Sequence, residues 1–161
     1  MALDADQWAS ILVADIAARY RNKLVTVPGS ECVWWVGAIS GHSGHGRFWV
    51  GPNRVVIAHR FAYALIAGPE AASTVPILGH GCDNPLCQRV GPGHITASTA
   101  RLNRREWATR RNLTGSPLGD PRGARQRATT LRDLAKTHPS ALATELDRLR
   151  DRTGEQILLW E

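Results

Sequence analysis

Two cysteines and a histidine lie close together in a segment rich in glycine and proline, between residues 81 and 94. Four residues separate Cys82 from Cys87, and His94 follows seven positions later. Tetrahedral zinc binds thiolates and imidazoles, and a short loop between two cysteines lets both reach one ion. The segment therefore predicts a metal site, although buried thiols beside a surface histidine would give the same spacing.

Cys32 is the remaining cysteine of the three in the chain, and it begins a segment rich in valine and tryptophan that is typical of a strand. An odd number of cysteines and the lack of a secretory signal argue against a disulfide framework. A strand of the preceding sheet could bring Cys32 to the loop. The result would be a Cys3His ligand set that uses every cysteine.

The composition predicts a protein that folds in solution. The chain has 161 residues, of which 43% are hydrophobic, and this suits one domain with extensions or two small units. The sequence has no apolar run long enough to span a membrane, and its first residues lack a charged segment followed by an apolar one. We therefore expect no membrane contact and a location in the cytoplasm.

The charge balance favours a nucleic-acid partner. Twenty basic residues stand against fourteen acidic ones, a net charge of +6, and eighteen of the basic residues are arginine. An arginine guanidinium matches phosphate oxygens with two parallel hydrogen bonds. The surplus is uneven, because the stretch from Arg101 to Arg127 holds eight arginines but only Glu106 and Asp120 as acids. Solubility in a GC-rich genome is the alternative, and it accounts less well for this clustering.

Apolar periodicity and turn residues predict an α+β fold with small antiparallel strands. Before the cysteine loop, the expected elements are a helix over 5–21, a strand over 32–39, a strand pair over 47–50 and 54–58, a helix over 59–67 and an edge strand over 75–78. After it, they are a helix from Ser98 or Thr99 to about residue 112, a linker from Gly115 to Gly119, a helix that starts at Asp120-Pro121 and stops before His138, and a last helix ended by Gly154. The chain is accordingly divided into an N-terminal helix and linker (1–30), a central domain (31–114) and a helical C-terminal extension (115–161).

In their order and spacing, the motifs resemble those of the HNH nucleases in the His-Me-finger (ββα-metal) superfamily. The similarity is carried by Gly79-His80-Gly81-Cys82-Asp83-Asn84-Pro85-Leu86-Cys87, by Gly93-His94-Ile95, and by Asn103 nine residues after His94. Three upstream motifs are typical of phage and mobile-element members: Cys32-Val33-Trp34-Trp35-Val36-Gly37, Gly46-Arg47-Phe48 and Ala58-His59-Arg60-Phe61-Ala62-Tyr63. The resemblance covers residues 31–111 and is closest to the zinc-bearing subgroup that includes the His-Cys-box homing endonucleases.

The resemblance implies a ββα-metal finger stabilised by zinc and a metal-dependent DNA endonuclease activity. It assigns His80 as the general base and Asn103 as the ligand of a catalytic Mg²⁺ or similar divalent ion. Arg47 would contact the scissile phosphate, with Arg54 and Arg60 as alternatives. Hydrolysis of a phosphodiester needs an activated water, a cation near the phosphate and help for the leaving oxygen, and these groups can supply all three. The structural zinc would be held by Cys32, Cys82, Cys87 and His94.

The chain also departs from the family pattern. Many HNH nucleases carry an aspartate just before the catalytic histidine as a second metal ligand, and this chain has Gly79 there. A single direct protein ligand would then remain, with Glu106 as a supplement one helical turn later. We expect His59 to be structural, because its neighbours in sequence are apolar. His42 and His45 lie in a glycine-rich turn, where we expect solvated residues, with contact to DNA as the alternative.

The resemblance further implies double-stranded DNA as the partner, a homodimer if both strands are cut, and a phage or mobile-element origin, hence a bacterial host. The expected DNA contacts are arginines of the helix after the loop and of the extension: Arg101, Arg104, Arg105, Arg110, Arg111, Arg122 and Arg125. Two alternatives stay open. One is a zinc-stabilised DNA-binding module without catalysis, and the other is a nuclease that acts on RNA or without sequence preference.

Overall fold

The structure, a computed structural model, describes residues 3–113 and 116–155. Its helices are α1 (Ala5–Ile11), α2 (Ala14–Arg21), α3 (Ala58–Thr74), α4 (Ala100–Arg110), α5 (Gly123–Thr137) and α6 (Pro139–Glu155), with a 3₁₀ turn at Pro117–Gly119. Its strands are β1 (Leu24–Thr26), β2 (Val33–Trp35), β3 (Arg47–Gly51), β4 (Arg54–Ile57), β5 (Ile77–His80) and β6 (Ile95–Ser98). Within the described residues, no helix is long and apolar enough to cross a bilayer.

The strands form three separate two-stranded antiparallel sheets, β1–β2, β3–β4 and β5–β6. This mixture of helices and small antiparallel sheets confirms the predicted α+β class. The predicted strand pair is confirmed as β3–β4, in which Phe48 lies opposite Val56. The register shifts after Trp49, just before a turn in which Asn53 adopts a positive φ of 55°.

The single helix predicted over 5–21 is wrong, because the chain breaks it into α1 and α2. Leu12 ends α1, and Val13 is extended, with φ −98° and ψ 159°, before α2 begins. The break allows Trp8 of α1 and Tyr20 of α2 to be buried in the same core. Tertiary packing therefore overrides a continuous apolar period.

The predicted helix stop at Gly68-Pro69 is confirmed, and a second helical segment follows it within α3. Gly68 has φ 86° and ψ 168°, which glycine adopts readily, and the helix is interrupted there. It resumes because Pro69 then lies in a first turn, where its missing N–H is not needed. The Arg60 guanidinium donates to the carbonyl oxygens of Ala72 (3.2 Å) and Val75 (2.8 Å), and it thereby connects the first helical segment to the end of the second.

Strands β2 and β5 differ from their predicted bounds, whereas α4 agrees. Strand β2 is much shorter than 32–39, because the Trp35 indole donates to the Ala38 carbonyl (2.8 Å) and the chain turns there. Strand β5 begins only after Pro76, which has no N–H for the ladder. Helix α4 is capped by Thr99 as predicted, since its hydroxyl accepts from the Leu102 N–H (3.2 Å).

An aromatic cluster forms the centre of the core. Tyr20, Trp35, Phe48 and Phe61 come from α2, β2, β3 and α3, and the centroids of neighbouring rings lie 4.9–5.8 Å apart. Each such ring buries about 150–250 Å², so four of them dominate the apolar burial of a small domain. The Tyr20 hydroxyl donates to Gln88 Oε1 (2.7 Å), which connects the core to the cysteine loop.

The C-terminal helices pack on this same core. Leu131 of α5 and Leu142 of α6 are fully buried and belong to one apolar cluster with the aromatic residues. Helix α5 ends at Thr137, as predicted. The packing places α5 beside β2, the strand that precedes the candidate site.

The other boundaries of the extension are shifted. The Asp120 carboxylate accepts from the Arg122 backbone N–H (3.0 Å), and α5 begins at Gly123 and not at Asp120-Pro121. Helix α6 continues to residue 155, past the predicted stop at Gly154. Gly115, the predicted start of the linker, lies outside the described residues.

Candidate metal centre and active site

A backbone pairing between β2 and the cysteine loop brings Cys32 to the other cysteines. Trp34 and Cys87 form an antiparallel bridge, and the Gln88 N–H donates to the Val33 carbonyl (2.8 Å). The loop therefore runs beside β2 over a few residues. Because Cys32 immediately precedes β2, its side chain lies next to that of Cys87.

A tight turn folds His94 back onto the cysteines. The His94 N–H donates to the Gly91 carbonyl (3.0 Å), and the Gly81 N–H donates to the His94 carbonyl (2.8 Å). A Cβ atom at Gly81 would lie 2.9 Å from the backbone of Gly93, so only glycine fits at this crossing. The glycines of the loop thus allow the segments that carry Cys82 and His94 to approach each other.

The sulfur atoms of Cys32, Cys82 and Cys87 and a ring nitrogen of His94 lie within 4.8 Å of one another. His94 Nδ1 is 3.4 Å from the Cys87 sulfur and 3.9 Å from the Cys32 sulfur. Ligand atoms of a tetrahedral zinc, at about 2.3 Å for sulfur and about 2.0 Å for nitrogen, are themselves about 3.5–3.8 Å apart. The four predicted ligands are therefore brought together, and this cluster could hold a metal such as zinc.

The surroundings of the cluster also suit a metal. His94 Nε2, the nitrogen that faces away from the sulfurs, lies 3.5 Å from the Glu31 carboxylate. Carboxylates that accept a hydrogen bond from this nitrogen orient histidines that bind zinc, and the exposed Glu31 side chain is within reach of that position. Hydrogen bonds with Cys82 and Cys87 hold the pKa of Cys32 far below its ordinary value, whereas the hydrogen bond with Cys32 raises the pKa of Cys82 to about 11. The three adjacent thiols therefore cannot all ionise easily, because their negative charges would repel one another. A divalent cation between them would offset that repulsion.

A strand–strand–helix unit, made of β5, β6 and α4, carries the predicted catalytic residues. His80 is the last residue of β5, and Asn103 lies in the first turn of α4. A Cβ atom at Gly79 would lie 3.5 Å from Asn103 Oδ1, so the amide oxygen faces the strand beside His80. An amide oxygen is a hard donor of the kind that Mg²⁺ accepts.

Two further histidines lie against His80. His45 precedes β3 and His59 lies in the first turn of α3, and one ring nitrogen from each of the three histidines lies within 4.8 Å of the others. His59 Nδ1 is 3.3 Å from His80 Nε2, and the His45 ring centroid is 5.0 Å from that of His59 and 5.5 Å from that of His80. The expectation that His45 is solvated is therefore wrong, because its ring packs against two others.

The pairing of β3 with β4 indicates that His45 and His59 are neighbours, which the sequence analysis missed. Arg47 pairs with Ile57 in the β3–β4 hairpin. Side chains alternate along paired strands, so the next positions on the same face, two residues outward, are His45 and His59. Counting the register of the predicted strand pair would have placed these two histidines opposite each other.

Burial keeps the three histidines uncharged. It lowers the pKa of His80 to about 3, and the nearby His45 ring adds to this shift. It also lowers the pKa of His59 well below its ordinary value, and that of His45 to a lesser extent. Neutral imidazoles can accept a proton or bind a metal ion.

We expect the free energy of unfolding to fall as the pH drops below about 6.5, the ordinary pKa of histidine. Below that pH the unfolded chain takes up protons on these histidines and the folded chain does not, so acid favours the unfolded state. Denaturant titrations at about pH 7.5 and about pH 5.5, with zinc content measured at both, test this. The difference in the free energy of unfolding between the two pH values should be smaller in His59→Gln than in the wild type. An equal difference in both proteins would mean that other groups cause the pH dependence.

Arg47, the predicted phosphate contact, is exposed at the start of β3. Gly46 is bridged to Ile39 as in a strand, so the side chains of His45 and Arg47 leave the same face of the chain. Of the alternatives, Arg60 is engaged with backbone carbonyls of α3 and its C-cap. Arg47 is thus exposed on the side of the chain that carries His45, whereas the Arg60 guanidinium is held inside the fold.

Helix α4 has no buried residue and presents most of its arginines to solvent. The exposed arginines within the helix are Arg101, Arg104 and Arg105. Arg111, the C-cap residue, is exposed as well. Arg110 differs, because its Nε donates to the Asp83 carboxylate (2.9 and 3.0 Å) and its Nη2 to the His80 carbonyl (3.3 Å). Arg110 therefore anchors α4 to the segment that follows β5.

The two arginines predicted in the extension have different surroundings. The Arg122 guanidinium lies 2.7 Å from the Asp120 carboxylate and 3.6 Å from that of Glu145. Arg125 is exposed. Arg122 thus has ion-pair partners within the fold, as Arg110 does.

Comparison with known proteins identifies a phage relative. Over 98 residues, the chain is 32% identical to Protein 2.8 of Escherichia phage T7. The match covers 60% of this chain and 63% of the phage protein, so it spans less than two thirds of the length of that relative. No family model and no solved structure match the chain. The chain is thus similar to a phage protein whose name states no activity.

Proposed function

We propose that the chain is a metal-dependent DNA endonuclease of the HNH type, from a phage or mobile element. The observation that carries the proposal is the placement of three groups on one strand–strand–helix unit. His80 ends the first strand, Asn103 Oδ1 faces the preceding residue, and three ligands of the Cys3His cluster lie between the strands. A ββα-metal finger would have this order, and a zinc-stabilised DNA-binding module would need neither His80 nor Asn103.

In this proposal, His80 accepts the proton of the water that attacks phosphorus. Its Nε2 contacts His59, and its buried Nδ1 has no hydrogen-bond partner among the described residues, so Nδ1 is the nitrogen left to act as the base. The lowered pKa makes His80 a weak base in the free protein. The negative charge of a phosphodiester beside it would raise that pKa, and base strength would therefore increase when substrate binds.

Asn103 would hold the catalytic divalent ion through its amide oxygen. When bound, such an ion offsets the negative charge that develops on the phosphate. Glu106, the expected supplement, lies 3.5 Å from the Arg110 guanidinium and is engaged there. A Cβ atom at Gly79, the position where related nucleases have an aspartate, would lie in ordinary contact with Asn103 Oδ1. Arg47 would bind a phosphate oxygen.

The direct test is incubation of the purified protein with supercoiled plasmid, with and without Mg²⁺. We expect nicked or linear products that require the ion. A parallel incubation with single-stranded RNA distinguishes a DNase from a ribonuclease. Binding of DNA without any cleavage, in Mg²⁺ and in Mn²⁺, would favour the DNA-binding module instead.

The exposed arginines of α4 should bind DNA through phosphates. Changing Arg101 and Arg105 together to glutamine should lower the slope of log K against log salt by up to about 2, equally for unrelated sequences. The measurement is fluorescence anisotropy over a series of salt concentrations. A matched control is Arg122→Gln, because that guanidinium already has two carboxylate partners. An unchanged slope in the double variant would place α4 away from the DNA.

A further inference from the structure

We infer that His45, His59 and His80 form a second metal site, which binds Zn²⁺ and, when occupied, inhibits the proposed nuclease. The three rings converge from the loop before β3, from the start of α3 and from the end of β5. This set shares no residue with the Cys3His cluster. The inference that zinc binds here rests on the geometry alone, whereas the inference that zinc inhibits rests on the proposed function as well.

The distances within this set suit a zinc ion. Ligand nitrogens of a tetrahedral zinc, each about 2.0 Å from the ion, are separated by about 3.3 Å. His59 Nδ1 and His80 Nε2 are 3.3 Å apart, and one nitrogen from each of the three residues lies within 4.8 Å of the others. Three protein ligands leave a fourth position open for water, as in other sites built from three histidines.

The backbone holds two of the three histidines in place without the metal. The Ala58 N–H donates to the Gly46 carbonyl (2.8 Å), which joins the neighbour of His59 to the neighbour of His45. The Ser40 N–H donates to the His45 carbonyl (2.8 Å), so the loop is closed on its other side. A site whose ligands are already positioned loses little conformational freedom when the ion binds.

The donor set determines which ion would bind. Imidazole nitrogens suit zinc and neighbouring transition metals, whereas Mg²⁺ prefers oxygen donors. The histidine set and the Asn103 oxygen therefore select different ions, although both involve the surroundings of His80. Zinc would not replace Mg²⁺ in the proposed reaction, and it would act by occupying the histidines.

Occupation would remove the proposed base. An imidazole that binds a metal through one nitrogen carries its proton on the other. With zinc on Nε2, the Nδ1 of His80 would become a donor and could no longer accept a proton from water. Micromolar zinc in a Mg²⁺ assay should therefore inhibit cleavage, and a chelator that removes this weaker-bound ion should restore it.

The binding test uses the full chain, without DNA. After equilibrium dialysis against Zn²⁺, the wild-type protein should contain about two zinc ions per chain, one in each set of ligands. His45→Ala should bind the second ion at least about 100-fold more weakly, since loss of an outer contact alone costs 10–100-fold. His42→Ala is the matched control, because this exposed histidine lies on the same loop, and it should bind two ions. One ion in the wild type, or two in His45→Ala, would overturn the site.

A rescue variant adds a spectroscopic readout. In His45→Cys, Co²⁺ bound at the second site should gain a thiolate-to-metal charge-transfer band in protein whose Cys3His cluster already holds zinc. The wild type, loaded in the same way, should show the Co²⁺ spectrum without that band. A band of equal intensity in both proteins would mean that Co²⁺ had entered the cysteine cluster, and the second site would be refuted.

The activity test separates this inference from the proposed function. Each protein is compared with itself in Mg²⁺, with and without added Zn²⁺. Zinc should inhibit wild type and His42→Ala at least tenfold and should not inhibit whatever cleavage His45→Ala retains. Two bound ions without any nuclease activity would refute the proposed function and keep the site. If the wild-type protein binds one zinc ion and cleaves DNA equally well with and without added Zn²⁺, the second metal site is refuted and the proposed nuclease function stands.

Discussion

Replacing Cys87 by serine should leave most of the protein unfolded. The Cys87 side chain is completely buried and lies among the other three donors of the Cys3His cluster. A zinc ion bound by such a set contributes on the order of 10 kcal/mol to folding. The whole free energy of unfolding of a domain is about 5–15 kcal/mol, so loss of one ligand can remove most of it. Chelation of zinc from the wild type should have the same effect.

Circular dichroism, combined with elemental analysis of the same samples, measures this effect. Glu31→Gln is the matched control, because it removes the carboxylate 3.5 Å from His94 Nε2 and leaves all four donors in place. That variant should bind zinc at most about tenfold more weakly, because the Glu31 side chain is 83% exposed, and it should remain folded when zinc is in excess. A Cys87→Ser protein that is fully folded and free of zinc would show that the cluster is not a structural metal site.

Replacing His80 by alanine should lower the rate of plasmid cleavage by about 10²–10⁴-fold, the usual contribution of a general base. The zinc content of the Cys3His cluster should stay the same, since His80 is not one of its ligands. Asn103→Ala should have a comparable effect by removing the oxygen that would hold the catalytic ion. DNA affinity should change little in either variant, because exposed arginines would supply most of the binding.

The measurement is single-turnover cleavage in Mg²⁺, with the thermal unfolding of each variant recorded alongside. His42→Ala provides the control, because it removes an exposed histidine close in sequence to the site. It should cleave at the wild-type rate. Wild-type rates in His80→Ala would contradict its assignment as the base, and a large loss in His42→Ala would point to a different histidine.

The Cys3His cluster could be predicted because three of its four residues are close in sequence. Cys82, Cys87 and His94 lie within thirteen residues, and a short loop can bring such donors together without knowledge of the rest of the fold. Cys32 is a candidate from the sequence mainly because the chain has three cysteines and the other two lie in the loop. The pairing that delivers it, between Trp34 and Cys87, is a long-range contact that no local pattern encodes.

The features that the sequence analysis missed all depend on residues that are distant in sequence and come into contact only in the folded protein. The interruption at Val13 follows from the packing of α1 and α2 in one core, whereas the apolar period continues through it. The arginine count predicted a nucleic-acid surface but could not reveal that Arg110 pairs with Asp83 or that Arg122 pairs with Asp120. Charge runs show where cations are, and only tertiary structure shows which of them have partners.

The pairing of β2 with the cysteine loop has a consequence for the order of folding. Fifty positions separate Cys32 from Cys82, whereas five separate Cys82 from Cys87. Closing a tenfold longer loop costs about 2 kcal/mol more in chain entropy. In a partly folded chain, Cys82, Cys87 and His94 would therefore come together first, and Cys32 would join them only when β2 docks. The Cys3His set would then be complete only when the aromatic core forms, because β2 carries Trp35 of that core.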